Sequence, residues 1–295
     1  MSDRRQGLLC AFGVLFVWAG FLLFSRLSAA QALTAWDVGA LRYAGSFLAI
    51  LPVVAWRGLP ALPLRRALAL TATAGFGFPL CAYAGFGLAP AAHGAVLLPG
   101  LLPFLAAATW WMAFGEPFGR ARLLSLALVA SGMALIASET FRADAGAWRG
   151  DLLFVAGCVS WTAYMVLLRR WGVGALDATC AIALLAAPLY LPLWWLFLPS
   201  TIGEAAPGAV VFQLAYQGGF AMVLAGLMFT QAVVKLGGPM TSTITAAVPA
   251  LVVLGAWPLL GETLALGGLT GIGLVTLGMA AGALTLPRPA LTSRG

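Results

Sequence analysis

The sequence offers few side chains that could take part in chemistry, and they lie scattered through apolar segments. His93 is the only histidine, and imidazole can gate, carry a proton or bind a substrate because it titrates near neutral pH. Its place at the start of an apolar segment equally fits an interfacial residue. The sequence has neither the H-E-x-x-H pattern of a metalloprotease nor the GxxxxGK(S/T) loop of an ATP-driven protein. We therefore predict no enzyme, no bound metal and no cofactor.

Aromatic side chains are the first candidates for a binding site, because tryptophan and tyrosine stack on a ligand and also donate a hydrogen bond. Trp18 and Trp161 occupy equivalent positions of an internal repeat, and Tyr164 lies one helical turn after Trp161. Tyr83 belongs to a further aromatic stripe. Aromatic packing, common in membrane helices, is the alternative for each residue, but the repeat favours a cavity between the two tryptophans.

Polar amides in one long apolar segment form a second candidate set. Gln213 and Gln231 are 18 residues apart, which is five turns of a regular helix, so we expect them on one face. Gln217 and Lys235 are related in the same way. Amides in a bilayer usually face a partner or a water-filled cavity, so the alternatives are helix–helix hydrogen bonding and substrate contact. Lys235 is expected to extend to the headgroups.

Arg42 lies about one turn inside another apolar segment. An arginine within a membrane is a functional candidate by default. Asp37, five residues earlier, or the lipid headgroups could satisfy its charge. We therefore predict a structural role for Arg42.

Helix-bending residues fall in corresponding segments of the two halves of the chain. Proline removes a backbone hydrogen bond and kinks a helix, and in a membrane such breaks mark binding regions and hinges. The predicted hinge residues are Pro79, Pro99, Pro103, Gly218, Gly219 and Pro249.

These residues must be positioned by membrane-spanning helices. Hydrophobic residues make up 62% of the chain and charged residues 8%, against about 25% charge in a soluble domain. The net charge of +7 comes from scattered basic residues, which form no face for nucleic acid. Apolar stretches of about 20 residues predict ten spans, at 7–26, 36–56, 67–88, 92–114, 121–138, 150–169, 179–198, 208–234, 238–260 and 264–285. We expect the first span to be retained rather than cleaved as a signal peptide.

The loops and the internal repeat predict the topology. Lys and Arg favour one side of the membrane by twelve to three, which places both termini in the cytoplasm. A shift of 146 residues lays Gly115-Glu116 on Gly261-Glu262. Because each repeat has five spans, the second is inverted, as in secondary transporters. The predicted all-α membrane protein comprises repeats 1–138 and 150–286, a periplasmic linker 139–149 and a cytoplasmic tail 287–295.

Short motifs in both repeats resemble the drug/metabolite transporters of the EamA type. They are Phe16-Val17-Trp18-Ala19-Gly20, Ser160-Trp161-Thr162-Ala163-Tyr164, Ala247-Val248-Pro249-Ala250 and Leu260-Gly261-Glu262-Thr263. The resemblance implies a ten-helix exporter in a bacterial inner membrane. Its cavity would be lined by spans 1, 3, 4, 6, 8 and 9. Within that superfamily the chain is most similar to the amino-acid exporters, including those for aromatic amino acids.

We accordingly expect a secondary transporter that exports amino acids and related metabolites by alternating access. The alternatives are a drug or organic-cation exporter, which an acid in the cavity would favour, and a lipid carrier-scramblase. The expected partners are membrane lipid and a small-molecule substrate, with no nucleic acid, and the expected state is a monomer.

Overall fold

A computed structural model describes residues 3–27, 33–89, 91–115, 119–140, 146–248, 250–252, 254–255 and 266–284. This part of the chain is helical and contains no strand. Its main helices are α1 (Asp3–Leu27), α2 (Ala35–Arg57), α3 (Leu64–Phe86), α4 (Ala91–Phe114), α5 (Arg120–Thr140), α6 (Trp148–Trp171), α7 (Ala175–Phe197), α8 (Pro207–Leu236), α9 (Gly238–Thr245) and α10 (Leu266–Leu284).

The helices lie close to the spans predicted from apolar length. Within the described ranges, seven helices, α2 to α8, contain stretches long and apolar enough to cross a membrane. A shorter apolar stretch, Leu269–Gly282, lies in α10. The predicted ninth span is described only in part, so a total of ten spans and their inverted order remain predictions. Large apolar side chains on the outer faces, such as Trp195 at 76% exposure, are suited to contact with lipid.

A hydrogen-bonded cap sets the start of α2. The Thr34 side chain accepts from the Asp37 backbone N–H, and the Asp37 carboxylate accepts from the Thr34 backbone N–H. The same carboxylate accepts from Trp194 Nε1 at 3.0 Å and from the Thr201 backbone N–H at 3.0 Å. Asp37 therefore fixes the end of α7 against the start of α2. Its oxygens are engaged there and not with Arg42.

Two helices depart from regular α geometry in their central parts. Thr71–Gly77 of α3 and Leu214–Leu224 of α8 are π-helical, with hydrogen bonds to the fifth residue along the chain. Neighbouring helices supply hydroxyl donors to the irregular part of α3. Tyr43 Oη donates to the Gly75 carbonyl at 2.6 Å, and Ser160 Oγ donates to the Thr73 carbonyl at 3.0 Å.

The π-helical segment of α8 changes the face on which its amides lie. The expectation that Gln213 and Gln231 share a face was wrong in its premise, because it required a regular helix over all 18 intervening steps. Eleven residues between them, Leu214–Leu224, are π-helical. Gln213 is buried, whereas Gln231 is only half-buried.

Glycines allow the closest approaches between helices. A Cβ placed on Gly45 of α2 would lie 2.1 Å from the Leu214 carbonyl oxygen, and one on Gly218 would lie 2.4 Å from backbone atoms of Gly45 and Ser46. Helices α5 and α10 meet similarly where Gly132 faces Gly271. Small residues at such crossings are typical of membrane helices, because association depends on close packing.

Gly218 and Gly219 were both predicted as hinge residues, and the α2–α8 crossing separates their roles. We expect Gly218→Ala to lower the free energy of unfolding by about 1–3 kcal/mol, because its methyl group must displace backbone. Gly219→Ala is the matched control, since nothing lies within 4 Å of its added Cβ. Thermal unfolding of the purified variants in detergent measures the difference. Equal stability of the two variants would contradict the close packing at Gly218.

Candidate functional site

A cavity of about 1090 Å³, including its open mouth, lies among helices from both halves of the sequence. Its walls combine aromatic rings, small residues and prolines. They are formed by Trp18, Arg42, Ala74, Phe78, Pro79, Ala82, Tyr83, Phe86, Gly94, Leu98, Pro99, Leu102, Trp161, Tyr164, Thr179, Ile182, Ala221, Met222, Gly226 and Val248.

The cavity includes helices that the sequence resemblance did not imply. Spans 1, 3, 4, 6, 8 and 9 all contribute, the last through Val248. In addition, α2 contributes Arg42, and α7 contributes Thr179 and Ile182. These two helices extend the wall and add the polar side chains of Arg42 and Thr179.

The two tryptophans of the repeat both line the cavity, but they do not stand on opposite walls. Trp18 and Trp161 touch edge to face, with ring centroids 5.8 Å apart. Phe229 of α8 stacks on Trp18 at 5.3 Å and tilts against Trp161 at 5.0 Å. These three rings form one aromatic cluster. No sequence pattern had singled out Phe229, which is one of many apolar residues in α8.

Tyr164 continues this cluster. Its ring lies 5.4 Å from that of Trp161. Its hydroxyl shares a hydrogen bond with Thr230 Oγ1 of α8 at 2.7 Å. The aromatic cluster and this bond together hold α6 against α8 beside the cavity.

Arg42, for which we predicted a structural role, lines the cavity. Its guanidinium lies beside the Tyr83 hydroxyl, and Tyr83 also lines the cavity. The Arg42 Nε is buried and has no hydrogen-bond partner. Of the two partners considered for Arg42, the Asp37 carboxylate bonds instead to Thr34, Trp194 and Thr201.

A second unpartnered donor belongs to the same cavity. The indole Nε1 of Trp161 is buried without a hydrogen-bond partner. An unsatisfied buried polar group costs about 1–3 kcal/mol. Among the lining residues none is an aspartate or glutamate, so the described wall offers a cation and two unmet donors but no carboxylate.

His93 lies next to the lining residue Gly94 but does not itself line the cavity. The residue is only 2% exposed. Its Nδ1 lies 2.9 Å from Oδ1 of Asp151 in the first turn of α6, whose side chain is 27% exposed. The pair joins α4 to α6 at the end of the bundle predicted to be periplasmic.

The predicted amide contacts lie away from the cavity. Gln217 Nε2 donates to Gln213 Oε1 at 3.1 Å, one turn away on the same helix, while Gln217 Oε1 has no partner. Neither of these residues nor Gln231 is among the described lining residues. Of the two alternatives, the structure favours polar packing within the bundle over substrate contact in this conformation.

Lys235 pairs with Asp3 of α1 instead of extending only to headgroups. The Lys235 ammonium holds the pKa of the Asp3 carboxyl below its usual value. This ion pair joins the first turn of α1 to the last turn of α8.

The predicted hinge prolines are divided between the wall and its surroundings. Pro79 and Pro99 line the cavity, and Pro79 is the second residue after the π-helical segment of α3. Pro103 lies one turn further along α4. Pro249 lies outside the described residues. No group of three or more potential metal ligands occurs within the described ranges.

Comparisons with known proteins agree with this architecture. Residues 148–281 match the EamA-like transporter family, whose members are membrane transporters. This match supports the predicted drug/metabolite transporter superfamily. A solved crystal structure has the same fold with a TM-score of 0.75 at 20% identity, over 95% of this chain and 97% of that one. No curated relative matches the sequence.

The contact between His93 and Asp151 predicts a stability effect at the α4–α6 contact. We expect Asp151→Asn to lower the free energy of unfolding by about 1–3 kcal/mol, the value of a hydrogen bond to a charged group. Glu204→Gln, at an exposed position, is the matched control and should change it by less than about 0.5 kcal/mol. Thermal unfolding followed by tryptophan fluorescence compares them. Equal midpoints for the two variants would show that the pair does not stabilise the bundle.

Proposed function

We propose that this chain is a secondary transporter that exports amino acids, aromatic ones included, and related small metabolites by alternating access. The observation that carries the proposal is the cavity shared by helices of both sequence halves, with the Trp18–Trp161–Phe229 aromatic cluster at its wall. Stacking surfaces of this kind bind flat or apolar side chains. We place the transporter in a bacterial inner membrane, as a monomer.

Contacts that could open and close are present at both ends of the bundle. At the end predicted to be cytoplasmic, Arg169 of α6 lies over the rings of Trp110 and Phe114 of α4, at 5.2 and 4.1 Å from their centroids. At the opposite end, the His93–Asp151 contact joins the same two helices. Alternating access requires one set of contacts to separate while the other holds.

The irregular segments supply places where the helices can bend. Thr71–Gly77 and Leu214–Leu224 are π-helical, and residues of both contribute to the cavity wall. Movement at these segments would change the cavity without unfolding the regular helical ends. The alternative of an organic-cation exporter is disfavoured, because no acid occurs among the described lining residues.

The test is efflux from proteoliposomes loaded with radiolabelled amino acids, with and without unlabelled competitors outside. We expect saturable efflux that falls at least about tenfold in Trp161→Ala, which corresponds to ~1.4 kcal/mol of lost interaction. Trp195→Ala removes an exposed ring and is the matched control, expected to retain efflux. Absence of efflux above protein-free vesicles for every amino acid would contradict the substrate class. Unsaturable efflux in wild type would contradict alternating access.

A further inference from the structure

The cavity contains a positive charge that the described part of the protein leaves unbalanced. Arg42 is the only cationic residue among the described lining residues, and these include no carboxylate. The nearest acid along α2, Asp37, is bound to Thr34, Trp194 and Thr201. A charge away from bulk water is costly unless it is paired. The cavity is therefore electrostatically suited to an anionic group.

The unpartnered hydrogen-bonding atoms of the cavity also favour an anionic group. Among the described residues, four buried side-chain atoms lack partners, and the two that belong to lining residues are Arg42 Nε and Trp161 Nε1. Both are donors, and neither can accept a hydrogen bond. A ligand that satisfies them must bring acceptor atoms.

We propose that Arg42, with Tyr83 beside it and Trp161 as a second donor, forms a subsite for the carboxylate of the transported molecule. The inference deepens the proposed function and rests on it, because it assigns the cavity to substrates that carry a carboxylate next to an apolar or aromatic body. A guanidinium binds the two oxygens of a carboxylate with matched geometry. The aromatic cluster beside it accommodates the apolar body.

Four ligands that share a phenyl ring, two with a carboxylate and two without, test the proposal. The probes are phenylalanine, 3-phenylpropionate, which lacks the amine, and phenylalaninamide and 2-phenylethylamine, which lack the carboxylate. Calorimetry with the full chain in detergent gives dissociation constants, and competition against labelled phenylalanine in proteoliposomes gives transport. We expect both carboxylates to bind at least about tenfold more tightly than the two amines.

Substitutions at Arg42 test whether this residue causes the preference for carboxylates. Arg42→Gln should weaken carboxylate binding by about 10- to 100-fold, as expected for a hydrogen bond to a charged group. Binding of phenylalaninamide should change by less than about twofold. Arg57→Gln, the same change at an exposed position of α2, is the matched control and should leave both unchanged. Arg42→Lys keeps the charge without the paired donors and should lie between Gln and wild type.

A second variant keeps the proposal testable if Arg42→Gln fails to fold. Trp161→Phe retains a ring and removes only the indole donor, so carboxylate binding should weaken by about two- to tenfold, as for a neutral hydrogen bond. Binding of 2-phenylethylamine should not change. Equal losses for carboxylates and amines in Trp161→Phe would overturn the donor role of this residue.

The outcomes separate this inference from the proposed function. Saturable amino-acid transport that shows no carboxylate preference, or a loss in Arg42→Gln that is equal for all four ligands, would overturn the subsite and leave the transporter standing. Carboxylate binding that depends on Arg42, without transport of any amino acid, would support the subsite and overturn the proposed function. Tighter binding of the amines would overturn the subsite and favour an organic-cation exporter.

Discussion

A lipid bilayer provides no hydrogen-bonding partner to an exposed peptide group, so a membrane chain must satisfy its backbone within its own helices. The described residues obey this constraint nearly throughout. The π-helical segments of α3 and α8, both beside the cavity, satisfy it through hydrogen bonds to the fifth residue along the chain. In α3 the hydroxyls of Tyr43 and Ser160 donate to backbone carbonyls of the irregular segment. In α3 the π-helical segment thus lies where neighbouring side chains support its backbone.

The same constraint gives the polar side chains of the cavity their importance. In water, an unpartnered indole or guanidinium nitrogen would be solvated at little cost. In an apolar cavity it represents binding energy that an acceptor can recover. Arg42 and Trp161 are in that position, whereas Asp37 and His93 have their partners within the protein. Asp37 and His93 therefore join helices, whereas Arg42 and Trp161 each keep an unpartnered donor that a ligand could satisfy.

The lengths of the apolar stretches and the charged residues between them predicted the helix positions well, because the cost of burying charge in lipid dominates the choice of spans. The internal repeat predicted that Trp18 and Trp161 would form opposing walls of a cavity; both line it, but their rings touch. Reasoning from regular helical spacing did not hold for Gln213, since residues 214–224 after it are π-helical. The predicted hinge residues Gly218 and Gly219 lie within that segment. For Arg42 the sequence offered Asp37 or the lipid headgroups as partners, and the Asp37 carboxylate is used to cap α2. Phe229 carried no signal at all, being one apolar residue among many.

The central claim is that the cavity is a substrate site reached alternately from the two sides of the membrane. The most direct measurement uses Ala82→Cys, at a buried lining position, in a chain whose four native cysteines are replaced. A membrane-impermeant thiol reagent is applied to oriented vesicles from either side, with and without phenylalanine. The account predicts labelling from both sides and a lower rate when phenylalanine is present. Labelling from one side only, or labelling that phenylalanine does not affect, would contradict it.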